Sequence, residues 1–149
     1  MSAAPLIGVV GLGTMGLGIA QVFAQAGFRV LATDAQAAMR ESARARLADS
    51  LQARVSAGKL QPEARDATLE RLSISAAPDA MFDAGLVIEA IIETLDAKRS
   101  LFAALEAKAK PDAILATNTS SIPLEDIATA MADPTRLIGL HFFNPVAKM

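Results

Sequence analysis

Along this chain the spacing of apolar positions switches repeatedly between the period of a buried strand and that of a helix. Leu6 to Val10 is a continuous apolar run, as expected of a strand buried on both faces. From Thr14 the spacing turns helical, with Met15, Ile19, Val22 and Phe23 three or four apart, and Gly27 is placed to end that helix. Phe28 to Thr33 reads as a second strand. Residues from about Ala37 to Ala57 are alanine-rich, and Arg40, Glu41, Arg44, Arg46, Asp49 and Arg54 predict a helix with one wet face, stopped by Gly58. Pro62 suits the first turn of another helix, carrying Glu63, Arg65, Asp66, Glu70 and Arg71. These charges are expected on solvated faces, in surface ion pairs worth about 0–1 kcal/mol each.

The alternation continues. Ser73-Ile74-Ser75 predicts a short peripheral strand, and Pro78 to Ala84 a short helical turn ended by Gly85. Leu86-Val87-Ile88 is again apolar throughout and runs into Glu89-Ala90-Ile91-Ile92-Glu93. Thr94 can cap a helix over about Leu95 to Ala109, which Pro111 stops. Ala113 to Thr117 reads as a buried strand, followed by the polar turn Asn118-Thr119-Ser120-Ser121. A helix from about Pro123 to Met131, a turn at Asp133-Pro134 and a strand from Leu137 to Leu140 complete the pattern. Apolar strands alternating with helices predict an α/β domain, with a mostly parallel sheet covered by helices on both faces.

Composition narrows the function. At 149 residues the chain is one domain. A net charge of −2 and the lack of any basic run argue against nucleic acid or an anionic membrane surface as partners. The absence of cysteine removes disulfides, thiol nucleophiles and thiolate metal sites, so no metal site is expected and a cytoplasmic location fits. Met1 to Phe28 carries no charge and would attract a hydropathy window, yet it has no basic start and contains six glycines, at 8, 11, 13, 16, 18 and 27. A buried first strand with a close-packed helix explains it better than a signal peptide or membrane span. The final Val146-Ala147-Lys148-Met149 carries no stop signal, so the chain is expected to be cut from a longer one.

Candidate chemistry collects at strand ends. Gly11-x-Gly13-x-x-Gly16 lies between the first strand and the first helix, where a dinucleotide pyrophosphate would sit. Asp34 ends the second strand eighteen residues after Gly16, where a carboxylate can hold the adenosine ribose hydroxyls. Together they imply dinucleotide binding on a Rossmann-type, doubly wound sheet. His141 is the only histidine and ends the last strand, where it could take a hydroxyl proton while a hydride leaves the same carbon. Ser120 could cap a helix or bond a substrate oxygen, and Asn144 could begin the turn at Pro145. Glu93 could cap the helix after Thr94 or approach the nicotinamide ribose, while Phe142 and Phe143 are expected in the core.

Gly11-Leu-Gly-Thr-Met-Gly16, Glu89-Ala-Ile-Ile-Glu93, Thr117-Asn-Thr-Ser-Ser121 and His141-Phe-Phe-Asn-Pro145 resemble, in order and spacing, the L-3-hydroxyacyl-CoA dehydrogenases. That family oxidises the 3-hydroxyl of acyl-CoA thioesters to 3-ketoacyl-CoA with NAD, in fatty-acid β-oxidation and related routes. The resemblance implies that His141 is the general base, that Ser120 contacts the substrate oxygen and that Asn144 helps hold the reacting centre. It places Glu93 and Lys98 in the NAD site with Gly11, Gly13, Thr14, Met15, Gly16, Asp34 and Asn118. Asp34 then favours NAD, because the 2′-phosphate of NADP would meet a carboxylate. The glutamate that orients the family's histidine, and the helical C-terminal domain that closes over acyl-CoA and makes the homodimer contact, would fall beyond Met149. The chain alone is therefore expected to bind NAD but turn over poorly. Rival readings are a dehydrogenase of free hydroxy or sugar acids on the same scaffold, including a gulonate-type relative, and a non-catalytic dinucleotide-binding module. The glycine phrase also resembles 3-hydroxyisobutyrate-type dehydrogenases, whose lysine base the His141 motif argues against.

Overall fold

A computed structural model describes residues 4–81 and 83–148. Six strands, β1 (Leu6–Val10), β2 (Arg29–Thr33), β3 (Leu72–Ser75), β4 (Leu86–Glu89), β5 (Ile114–Thr117) and β6 (Leu137–Gly139), form one sheet in the order β3-β2-β1-β4-β5-β6. All five pairings are parallel, so the sheet is parallel throughout these strands rather than mostly so. Five helices connect them: α1 (Thr14–Gln25), α2 (Ala37–Ser56), α3 (Pro62–Glu70), α4 (Leu95–Lys108) and α5 (Leu124–Ala128). The strand order reverses between β1 and β4, which opens a crevice beyond their carboxyl ends.

The unbroken apolar strands follow from a core on each face. Successive strand residues point to opposite sides. Val9, Ile88 and Ala116 pack with Leu47 and Leu51 of α2 and Ile19 of α1. Their neighbours Val10, Val87 and Leu115 pack with Phe102 of α4 and Ile127 of α5. The central strand positions are thus enclosed whichever way they face, while Arg29, Ser73, Ile114 and Ile138, at strand starts or in the edge strands, stay exposed.

The charged faces differ from expectation. Arg44 donates to the carbonyls of Leu69, at 2.8 Å, and Leu72, while Arg71 Nη1 reaches Ala24 O at 2.9 Å. Arg136 closes on Lys110 O at 2.5 Å and Ala113 O at 3.3 Å, beyond α4. The last carbonyls of a helix have no partner within it, and a guanidinium fork supplies one. Among the described residues Arg65–Asp66, at 2.8 Å, is the one surface ion pair of the kind foreseen for α2 and α3, and Lys108–Asp79, at 3.3 Å, is an exposed pair outside them.

Four local expectations are corrected. Thr94 stands at the N-cap of α4 in extended backbone, but its hydroxyl caps nothing; Asp96 in the first turn supplies the favourable charge instead. The helix expected to reach Met131 is regular only over Leu124–Ala128, after which Ala130 and Met131 bond three residues back in a tightened turn. Phe142 is half-buried with its ring edge-on to Phe23, but Phe143 is 61% exposed. The helical turn expected over 78–84 is a 3₁₀ turn at Pro78–Met81, and Phe82 lies outside the described residues. None of the described helices is long and apolar enough to cross a membrane.

Candidate functional site

The glycine turn leaves β1 and enters α1 at the reversal point. Gly11 has φ +109°, and an added Cβ would fall 2.4 Å from the Ala90 carbonyl oxygen. At Gly16 it would fall 1.7 Å from the Gly11 oxygen, which is rigid backbone. An alanine at Gly16 is therefore expected to destabilise the fold by about 1–3 kcal/mol or more, read as a lower thermal midpoint. Gly13 differs. Its φ of −70° suits any residue, and a Cβ there would meet nothing of the chain within 4 Å. Packing explains Gly11 and Gly16, whereas Gly13 keeps open the approach to α1. That helix start has no side-chain cap and no acidic residue in its first turn, so its N–H groups and dipole suit an anion.

Beside the turn is a cleft of about 510 Å³ whose lining includes Gly13, Met15, Asp34, Met39, Ile91 and Ile92. Asp34 closes it at the end of β2. One carboxylate oxygen accepts from Leu12 N and the other from Gln36 N, each at 2.8 Å. Mostly apolar walls with a single carboxylate match the two halves of an adenosine, base and ribose. The turn and this cleft fit a dinucleotide on the chain's own geometry.

A second cleft of about 320 Å³ continues past Met15 along the ends of β4, β5 and β6. Glu93, Lys98, Asn118, Ser120, His141 and Asn144 line it with Met15, so seven of the predicted site residues are brought together. Thr14, exposed at the head of α1, instead borders the adenosine-sized cleft. Asn118 takes its position from its neighbours: its N–H donates to Glu89 O at 2.9 Å, and its Oδ1 accepts from Phe142 N at 2.7 Å. That second bond fixes the backbone next to His141. The His141 ring is exposed and lies 4.6 Å from the Phe143 ring, tilted at 49°. Among the described residues no carboxylate is in ion-pair contact with it.

The chain matches a family model, the NAD-binding domain of 3-hydroxyacyl-CoA dehydrogenase, over residues 6–149. It belongs to that family. A 3-hydroxybutyryl-CoA dehydrogenase of Mycobacterium tuberculosis is 45% identical over 141 residues, covering 94% of this chain and 49% of the relative. A 3-hydroxyadipyl-CoA dehydrogenase of Escherichia coli is 43% identical over 96% of this chain and 30% of its own length. The crystal structure of 3-hydroxybutyryl-CoA dehydrogenase from Escherichia coli superposes with a TM-score of 0.93 at 42% identity, covering all of this chain and 31% of that one. The chain spans about half the length of the first curated relatives it matches.

Within this NAD-binding domain the second cleft rests on a buried charge cluster. Glu89 is 0% exposed; its Oε2 meets Lys98 Nζ at 2.5 Å and accepts from Ile91 N at 2.7 Å, and its Oε1 accepts from Thr117 Oγ1 at 2.5 Å. Lys98, 1% exposed, also lies 3.3 Å from Glu93 Oε1. Glu93 does not cap the helix after Thr94 but lines the second cleft. It accepts from Thr119 Oγ1 at 2.8 Å and from Ser120 N at 3.2 Å, tying the loop after β4 to the loop after β5. Burial alone would raise its pKa, but the bonds from Thr119 and Ser120 and the Lys98 charge outweigh that and hold it below the usual carboxylate range. Ser120 is not a helix cap, because α5 starts at Leu124 with Pro123 before it. Sequence reasoning assigned no role to Glu89, although a carboxylate closing an otherwise apolar strand was the available signal.

Proposed function

We propose that the protein carrying this domain oxidises the 3-hydroxyl of (S)-3-hydroxyacyl-CoA to 3-ketoacyl-CoA. The observation that carries the reading is the cleft in which His141, Ser120 and Asn144 line one wall set while Met15 opens it toward the glycine turn and Asp34. NAD, when bound, supplies the hydride acceptor. His141, an exposed imidazole at a strand end, takes the hydroxyl proton. Ser120 bonds the substrate oxygen and Asn144 confines the reacting carbon. Gly11, Gly13, Thr14, Met15 and Gly16 receive the pyrophosphate, Asp34 the adenosine ribose, and Glu93, Lys98 and Asn118 the nicotinamide side. The substrate's acyl-CoA portion and the homodimer contact belong to a helical C-terminal domain of the full-length protein. By itself the 149-residue chain binds NAD and turns over slowly, since no carboxylate among the described residues orients His141.

Titration of the chain with NADH and NADPH, followed by nicotinamide fluorescence, tests the cofactor half. Saturable NADH binding with much weaker NADPH is expected, and Asp34→Ser is expected to narrow the gap by at least about tenfold, the scale of one charge repulsion. Equal binding of both cofactors by the unmutated chain would sink the role of Asp34. For the substrate half, the full-length protein is offered acetoacetyl-CoA and free 3-oxo acids. Faster turnover of the free acids would move the reading to a free-acid dehydrogenase on the same scaffold.

A further inference from the structure

We infer that Arg46 is a positioning residue of the dinucleotide site, holding the glycine turn in the orientation that presents its peptide donors to a pyrophosphate. The inference rests on the cofactor reading above and extends it to a residue of α2, outside the turn. Three successive groups of the turn are pinned. The Gly11 carbonyl lies against Gly16, whose added Cβ would come within 1.7 Å of its oxygen. The Leu12 N–H donates to Asp34 Oδ2 at 2.8 Å. The Leu12 carbonyl accepts from Arg46 Nη2, also at 2.8 Å. A trans peptide is planar, with its C=O and N–H opposed. The Gly13 N–H therefore points away from the guanidinium, at the residue that caps α1 and has free space in place of a Cβ.

Arg46 is itself fixed. Its Nε donates to Ser42 Oγ at 3.1 Å, and Nη2 also reaches Met39 O at 3.2 Å. Both partners belong to α2, so the guanidinium is anchored to its own helix and extended to the turn. It also lines a groove with Thr14 and so sets a permanent positive charge beside the start of α1. Arg44, Arg71 and Arg136 fasten carbonyls at or beyond helix ends; Arg46 alone among these fastens the turn between β1 and α1. Without it the Leu12–Gly13 peptide loses its acceptor contact and can swing, and the site loses a cation. Both losses fall on a phosphate ligand and spare a neutral one.

Calorimetric titration with ADP and, separately, adenosine separates the two. In Arg46→Met, which keeps the apolar stem and removes every donor, ADP affinity is expected to fall about tenfold, the scale of one charge-assisted hydrogen bond, with adenosine affinity unchanged. Arg46→Lys, which retains a charge and a donor, is expected to recover most of the loss. Should the methionine variant not fold, Arg46→Gln carries the same expectation. Unchanged ADP affinity, or equal losses for ADP and adenosine, would overturn the proposal, the latter marking a general loosening of the domain. An unmutated chain that binds neither ligand overturns the cofactor reading itself, and that is visible before any variant is made.

Discussion

His141→Ala is expected to lower kcat for 3-ketoacyl-CoA reduction in the full-length protein by about 10²–10⁴-fold, the usual contribution of a positioned general acid–base. NADH affinity and thermal midpoint are expected to stay where they are. The imidazole is exposed and stacks at a tilt on the exposed ring of Phe143, so truncation opens no cavity and strands no buried partner. Steady-state kinetics with acetoacetyl-CoA, NADH fluorescence and thermal unfolding on the same preparation give the three numbers. A lowered midpoint with the rate retained would make His141 a structural residue and end its role as the base.

Lys98→Met is expected to be the most destabilising single change in the site, at about 3–5 kcal/mol, because it removes the cation from a fully buried carboxylate. Glu89 keeps the Thr117 hydroxyl and the Ile91 N–H, but neither carries a charge to balance it. Glu93 loses part of what holds its pKa low, and Ser120 loses a firmly held neighbour. Adding Glu89→Gln should restore most of the stability, since a buried pair removed as a unit costs far less than one broken in half. The double variant should still bind NADH poorly if Lys98 faces the nicotinamide side. Urea unfolding of the single and double variants decides: a single-variant loss below about 1 kcal/mol would mean that water or a rearranged side chain replaces Lys98 and that the cluster is not the support of the cleft.

These two residues show different kinds of legibility. His141 stood out because it is unique in the sequence and ends a strand, and strand ends on a parallel sheet are where ligands gather. Lys98 carried no local signal of burial. On helical spacing it is one more charge near the start of α4, and only the placement of β4 and β5 beside that helix encloses it with Glu89. Arg46 was less legible still, reading as part of a solvated face while its guanidinium lies on the glycine turn 34 residues away. Phe143 erred in the other direction: a large apolar side chain next to Phe142 reads as core, yet only Phe142 turns toward α1.

The sequence by itself determined the strand and helix succession, the glycine turn, Asp34 and the gathering of polar residues after each strand. Those features are written in local spacing, where hydrophobic period and backbone permissiveness act over a few residues. The tertiary structure alone decided which of the long cations are buried, which carbonyls the arginines fasten, and how Glu93, Thr119 and Ser120 bridge two loops. Lysine and arginine reach across several residues and take their partners from other elements, so their roles are fixed by what packs beside them and not by what precedes them in the chain.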